Sequence, residues 1–467
     1  RMTSKIVVNN IESDAGISSV TFNSNIQIGT GTTIHSSGID LGSGNITGGI
    51  VTATSFTGSG ANLTSLPAAN LTGTLPAISG ANLTGINTAF GSGTSVNTSG
   101  IITATAFVST QGQLSHRNLM INGAMTVAQR GTSYSGTSGG YQTVDRVSSD
   151  FTGLDESPTY AQADVAAGTT PYTLGFRKSL KITNGNQTNG VAAGDRYQLF
   201  LKLEGQDVAN SGWNYTSASS FITLSFWVKS SVAQNFYGYL RTKDGTGQRY
   251  CFETGSLSAD TWTKITKTIP GNSNITIDND TGEGFQINLN QYFGTDYTDS
   301  GVSLNAWGAY ASGTRTPVQT TTWYTTNDAT YEITGVQLEV GPVATPFEHR
   351  SFGDELRRCQ RYFQRVNGGI TGVGANNTTI RANYAPIVNF RASPTITGNV
   401  GVSFNNPGIA SPTQTSFNCG LQFTYTPNNV GMTLGFGNFP NNGQTAQGTV
   451  YIQWDSNDEY INFDAEL

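Results

Sequence analysis

Charge is scarce in this chain. Of its 467 residues, 24 are Lys or Arg and 30 are Asp or Glu, a 12% share about half that of an average soluble protein. The net charge of −6 argues against a nucleic-acid surface, which needs clustered cations to displace counterions. Cysteine is nearly absent. Cys251, Cys359 and Cys419 are far apart and form no CxxC pair, so neither a disulfide framework nor a zinc site is expected. The three histidines, His35, His116 and His349, have no second ligand at metal spacing. No apolar run approaches the length of a spanning helix, so membrane insertion is not expected. The opening RMTSKIVVNNIES lacks the apolar core of a signal peptide, and Met2 reads as the first native residue. GxSxG, HExxH and phosphate-binding loops are also missing, so no cofactor and no catalytic residue is expected.

Glycine is abundant, at 57 residues, amid many Thr, Ser and Asn. With low net charge this suits β-structure with tight turns better than disorder. The length predicts about two to four domains. From Leu41 to His116 stand 76 residues without a single charge. NLT recurs there at Asn62, Asn70 and Asn82, and GIVTATSF (Gly49–Phe56) returns as GIITATAF (Gly100–Phe107). Repeats imply stacked similar units. One copy offers too few large apolar side chains to offset about 1–2 kcal/mol of backbone entropy per residue. Several copies wound on one axis could pack Ile and Leu against their symmetry mates. The reading is a homotrimeric fibrous shaft, with a flexible Gly/Ser/Thr linker as the alternative.

Beyond His116 the pattern changes. In RYQLFLKLE, Tyr197, Leu199, Leu201 and Leu203 share one face, with Arg196, Gln198, Lys202 and Glu204 opposite. In FITLSFWVK, Ile222, Leu224, Phe226 and Val228 alternate with Thr223, Ser225 and Trp227. In YEITGVQLEV, Val336, Leu338 and Val340 form an inward set. Many short strands over 117–350 predict an antiparallel β-sandwich or jelly roll.

Three motifs in this region resemble tail-fibre, or receptor-binding, proteins of tailed bacteriophages. They are NLMINGAMTVAQRGTS, the stretch from LSFWVKSS to TKTIPG, and ITGVQLEVGPVATPFEHRSFGDELRRCQRYFQ. The GIVTATSF and GANLTG repeats are similar to those in structural proteins of cyanobacterial viruses, and YINFDAEL resembles other fibre endings. The resemblance implies a carbohydrate-binding-like jelly roll, a trimeric fibre on the virion, and host attachment through glycan or outer-membrane protein receptors. It implies tail, baseplate or capsid proteins as partners of an attachment segment at 1–40, which itself shows no match to the tail-anchoring domain of short-tailed phages. The protein would be made in the host cytoplasm. The alternatives are a polysaccharide-degrading tailspike and a fibre rooted in capsid or baseplate.

Residues 351–366 predict one amphipathic helix, with Ser351 as cap, Asp354 at the capping-box position, and Leu356, Cys359 and Phe363 as its apolar stripe. Arg357, Arg358, Arg361 and Arg365 fill much of the rest. They read as solvated or paired with carboxylates of a neighbouring chain, or else as a polyanion-binding face. Residues 367–467 form a small β-rich tip with a receptor-binding role. It has 63 uncharged residues between Arg391 and Asp455, rich in Asn and aromatics.

Aromatic rings stack on sugars while amides bond the hydroxyls. On that ground Trp307, Tyr310, Trp323 and Tyr324 in the roll, and Phe436, Phe439 and Trp454 in the tip, are the candidate receptor-binding residues, with core packing as the competing role. Asp278, Asp280 and Glu283 are a weak calcium candidate without EF-hand spacing, where a polar turn is the plainer reading. Asp145, Asp150, Asp155 and Glu156, or again Asp278, Asp280 and Glu283, are carboxylates with no motif to fix a catalytic pair.

Overall fold

The computed structural model describes residues 116–367, 370–376, 379–399, 402–405, 413–414, 418–421, 432–437, 449–454 and 460–467. The attachment segment, the repeats and Phe439 lie outside these residues, as do the side chains of Phe436 and Trp454.

The described chain is mostly β. Strands are numbered in chain order. A six-stranded antiparallel sheet runs β1 (Ser133–Ser135), β4 (Thr159–Asp164), β5 (Lys178–Thr183), β13 (Thr330–Val340), β7 (Phe221–Ser230), β10 (Thr263–Pro270). A seven-stranded antiparallel sheet runs β12 (Trp307–Ala309), β9 (Gln248–Ser256), β8 (Asn235–Thr242), β11 (Glu283–Phe293), β6 (Arg196–Glu204), β3 (Val147–Thr152), β2 (Gly140–Tyr141). From β6 onward the chain passes repeatedly between the two sheets. One apolar cluster draws on both, including Leu199, Leu201 and Leu203 of β6, Ile222, Leu224, Phe226 and Val228 of β7, and Phe285, Ile287 and Leu289 of β11. Inward side chains at period two on facing sheets make a sandwich.

One strand breaks its own period. Tyr331 and Ile333 of β13 are buried, and so are Val336 and Leu338. A bulge between Thr334 and Gln337 places two residues opposite one, so the inward set moves from odd to even positions. Gly335 sits there at φ +65°, and a Cβ would stand 2.7 Å from the Phe176 ring. The segment after His116 packs on this bulge. Asn118 accepts from the Leu338 N–H at 3.1 Å and donates to the Val336 carbonyl at 3.1 Å. The Val336 N–H donates to Gly123. The first and third resemblance motifs are thus one packing unit.

The helix is shorter than its sequence predicts. It spans Phe352–Gln360, and β14 (Phe363–Val366) follows as a strand. Ser351 caps it through the Asp354 N–H at 3.2 Å. Cys359 is buried, as the stripe requires, but Phe363 belongs to the strand. Pairing of β14 with β23 (Tyr460–Asp464) outweighs the helical pattern, because tertiary contacts override weak local preference. Among the described residues, three helices of four or five residues, α1 (Thr170–Thr173), α2 (Gly205–Ala209) and α3 (Thr322–Thr325), precede this one, α4.

Strand β23 sits between β14 and β17 (Thr395–Asn399) in a three-stranded sheet. A seven-stranded sheet completes the C-terminal region in the order β19 (Thr413–Gln414), β18 (Val402–Asn405), β22 (Thr449–Trp454), β15 (Ile370–Asn376), β16 (Thr379–Tyr384), β21 (Met432–Gly437), β20 (Asn418–Leu421). The chain end docks on the sandwich. Arg130 pairs with Asp464 at 3.0 Å, Arg146 pairs with Glu466, and Lys202 donates to the Leu467 carbonyl at 2.6 Å.

Candidate functional site

The outer face of the six-stranded sheet carries a pocket of about 390 Å³. Strand β7 supplies Ser225 and Trp227, and β10 places Lys264 directly opposite Trp227. The bulge in β13 contributes Gly335, whose missing side chain leaves the floor open between Phe176 and Trp227. The loop after β13 supplies Phe347 and His349. Phe176, Phe347 and His349 form a three-ring cluster with centroids 4.9–5.1 Å apart. His349 Nε2 donates to the Leu174 carbonyl at 2.9 Å, which fixes the ring on that wall. Trp227 and Phe347 are half-buried, Lys264 and His349 are exposed, and Phe176 and Ser225, at 2% and 4% exposure, lie beneath them.

A second cleft, of about 900 Å³, shares His349 with this pocket. It is lined by Glu348 and Arg350, by Asp354, Arg357 and Arg358 of α4, and by Arg361. Its cations are of two kinds. Arg350 pairs with Glu348 at 3.2 Å and Glu355 at 3.6 Å. Arg361 forks onto Glu204 at 2.7 and 2.8 Å, and the Tyr362 hydroxyl donates to the same carboxylate. Arg357 and Arg358 make no ion pair among the described residues. Burial works to raise the Glu204 carboxyl, but the Arg361 and Tyr362 hydrogen bonds outweigh it and hold it below the ordinary glutamate range. Glu348 is held low in the same way, against burial, by the Asn118 N–H and Arg350.

The residues singled out in the sequence fall elsewhere. Trp323 and Tyr324 are both 0% exposed, so neither offers a face to a sugar, and that expectation is corrected. Trp323 donates through Nε1 to the Thr330 carbonyl, and Tyr324 stacks on Tyr292 at 4.5 Å. They lie in α3, a single turn driven into the core between long loops, where strand alternation gives no signal. Trp307 is half-buried on edge strand β12, packed edge-on to Tyr250, with Nε1 donating to Pro270 at 2.7 Å. Tyr310 is half-buried and covers the Arg241 guanidinium at 3.6 Å. These two rings hold the edge of the sandwich.

Two of the three calcium-candidate residues have partners within the chain. Asp280 accepts from the Gly282 N–H at 2.8 Å, and Glu283 lies between Lys202 and Lys243 at 3.5 and 3.6 Å. The carboxylates considered for catalysis are likewise engaged: Asp145 with Gln129, Asp150 with Arg196, Asp155 with Asn189, and Glu156 with the Asn186 N–H. The pocket residues themselves escaped the sequence reading. Trp227 was visible as an outward residue of its strand, but Phe176 and Phe347 lie 171 positions apart and meet only in the fold.

No protein family and no curated protein matches the chain. Solved structures similar to part of it include the enzymatically active domain of tailspike protein 4 of bacteriophage CBA120, at 11% identity and TM-score 0.25 over 48% of this chain. The matched region spans 21% of that tailspike chain. The N-terminal cellulose-binding domain of Cellulomonas fimi β-1,4-glucanase C is similar at 8% identity and TM-score 0.22, over 42% of this chain and 90% of that one. A family 11 carbohydrate-binding module of a Clostridium thermocellum cellulosomal cellulase is similar at 11% identity and TM-score 0.20, over 50% and 96%. Scores this low leave fold and function to rest on the strands and side chains themselves.

Proposed function

We propose that this chain is a receptor-binding fibre protein of a tailed bacteriophage and that its sandwich binds host-surface glycan without cutting it. The carrying observation is the pocket of about 390 Å³ walled by Trp227, Phe347 and His349 above the buried Phe176, with Lys264 beside the rings. Its size suits a small ligand. Apolar ring faces next to a few polar groups match the two-sided surface of a sugar. The motif resemblance and the uncharged repeats support the fibre role. Segments 1–40, 41–116 and 367–467 are assigned to virion attachment, trimeric shaft and further receptor contact. Three copies on one shaft convert weak single contacts into avidity for a repetitive surface.

The test uses intact protein as a competitor of phage adsorption and as a probe of host envelope glycans. Wild type should bind glycan, block adsorption and release no reducing sugar. Release of reducing ends would replace binding with hydrolysis. For the shaft, light scattering at micromolar concentration should give a trimer. Ile50→Asp and Ile101→Asp should weaken it, because each sets three like charges at one axial level. A monomeric wild type would refute the shaft.

A further inference from the structure

We infer that the bound glycan is acidic, and that Arg357 and Arg358 of α4 hold its phosphate or carboxylate group in the cleft adjoining the aromatic pocket. This rests on the reading of that pocket as the sugar site. Three observations carry it.

The first is the division of the cations. Arg350 and Arg361 are committed to Glu348, Glu355 and Glu204, whereas Arg357 and Arg358 pair with no carboxylate among the described residues. The second is the state of the acids around them. Asp354 is held by the Ser351 hydroxyl at 2.6 Å and Glu348 by the Asn118 N–H at 2.9 Å. These acids are satisfied without Arg357 or Arg358. Asp207 lines a smaller cavity of about 210 Å³ with Arg358 and Arg361, and both guanidinium groups act on its carboxyl through space, so Arg358 is the less free of the two cations. The third is continuity. His349 lines both the aromatic pocket and the cleft, so the two adjoin at that ring.

The position of the two arginines in the last turn also complements the helix dipole. That accounts for cationic residues there. It does not account for a cleft of about 900 Å³ opening between them and a ring-lined pocket. Guanidinium groups suit phosphate and carboxylate because their planar donors match the oxygens in pairs.

The experiment uses the full chain. Immobilised lipopolysaccharide and capsular oligosaccharides from host cells are presented native, carboxyl-reduced and dephosphorylated. Binding of wild type, Arg357→Gln/Arg358→Gln, Arg357→Lys/Arg358→Lys and Trp227→Ala is measured at low and high salt. Native acidic glycan should bind. Affinity should fall about tenfold or more on neutralising the glycan or in the Gln variant, should recover partly in the Lys variant, and should weaken with salt. The chemically treated form that loses binding identifies phosphate or carboxylate as the group. Equal binding of neutral and native glycan, with the Gln variant unaffected, would overturn the acidic-ligand proposal while leaving the aromatic site standing. Loss in the Gln variant with Trp227→Ala unaffected would keep the anion site and remove the aromatic one. A change in assembly mass in the Gln variant, with glycan binding per subunit unchanged, would assign the arginines to a second copy of this chain and overturn the proposal. Absence of any glycan binding would overturn both.

Discussion

The two sheets of the sandwich turn outer faces of the same kind toward different fates. On the six-stranded sheet, Trp227 and Lys264 stay accessible and line a pocket, although their outward neighbours Thr223, Ser225 and Thr334 are at most 4% exposed. On the seven-stranded sheet, the outward row Cys251, Tyr239 and Asn288 is at most 1% exposed. The chain itself covers that face. After β11, residues 294–319 form an arch whose limbs are tied by a bridge between Thr298 and Thr316. Beneath it Tyr239, Cys251, Phe293 and Val302 make a second small core. The docked chain end covers Lys202 and Arg146 on the other side. An alternating strand specifies one buried face, and the connections decide whether the other face is a site or an interior. Amides such as Gln198 then need partners, which Asp150 supplies at 2.7 Å.

The largest effect on this contrast should come from the shared core. Trp323→Ala empties a site at 0% exposure and should cost about 3–5 kcal/mol of stability, read as a fall in melting temperature with no selective loss of glycan binding. Retained stability would return Trp323 to the list of surface rings.

Next is the tie between sandwich and helix. Glu204→Gln should cost about 1–3 kcal/mol, because Tyr362 and Arg361 lose their charged acceptor. The wild-type contribution has a definite sign. The Glu204 carboxyl is depressed in the folded state, so its stabilisation is present above the ordinary value near 4.5 and is lost as pH falls below it. The variant should lack this component of the acid limb in a series of denaturation curves. Parallel acid limbs would show that the fork is not a stabilising contact.

A smaller effect tests the covered face. Tyr310→Ala removes the ring over Arg241 and should cost about 1 kcal/mol. It should also loosen the arch over Cys251, whose thiol burial pushes up to about 12. Mass mapping after brief treatment with a thiol reagent should find Cys251 protected in the wild type and labelled in the variant. Equal protection would mean that the arch closes without Tyr310.

The last case is the open face. Trp227→Ala should lower stability by less than the about 3–5 kcal/mol of a fully buried ring, because part of the ring stays accessible. It should weaken glycan binding by about 0.5–1.5 kcal/mol. A large drop in melting temperature without loss of binding would make this face structural too.

Much of the sandwich could be read before folding. Inward Leu199, Leu201 and Leu203, and Ile222, Leu224, Phe226 and Val228, follow from period-two spacing alone. So does the Ser351 cap, a local signal carried by Ser351 and Asp354. These depend on neighbours a few positions away, where backbone geometry sets which side chains share a face. What that geometry does not reach was decided by tertiary contacts. The helix stops at Gln360 because the next residues pair with a strand near the far end of the chain. Trp323 and Tyr324 are interior because loops fold inward around them. The pocket exists because a bulge at Gly335 leaves room for Phe176, and because Phe347 returns to meet that ring. Alternation is a property of successive residues, whereas a pocket is a property of which distant segments close against each other, and only the packed chain determines that.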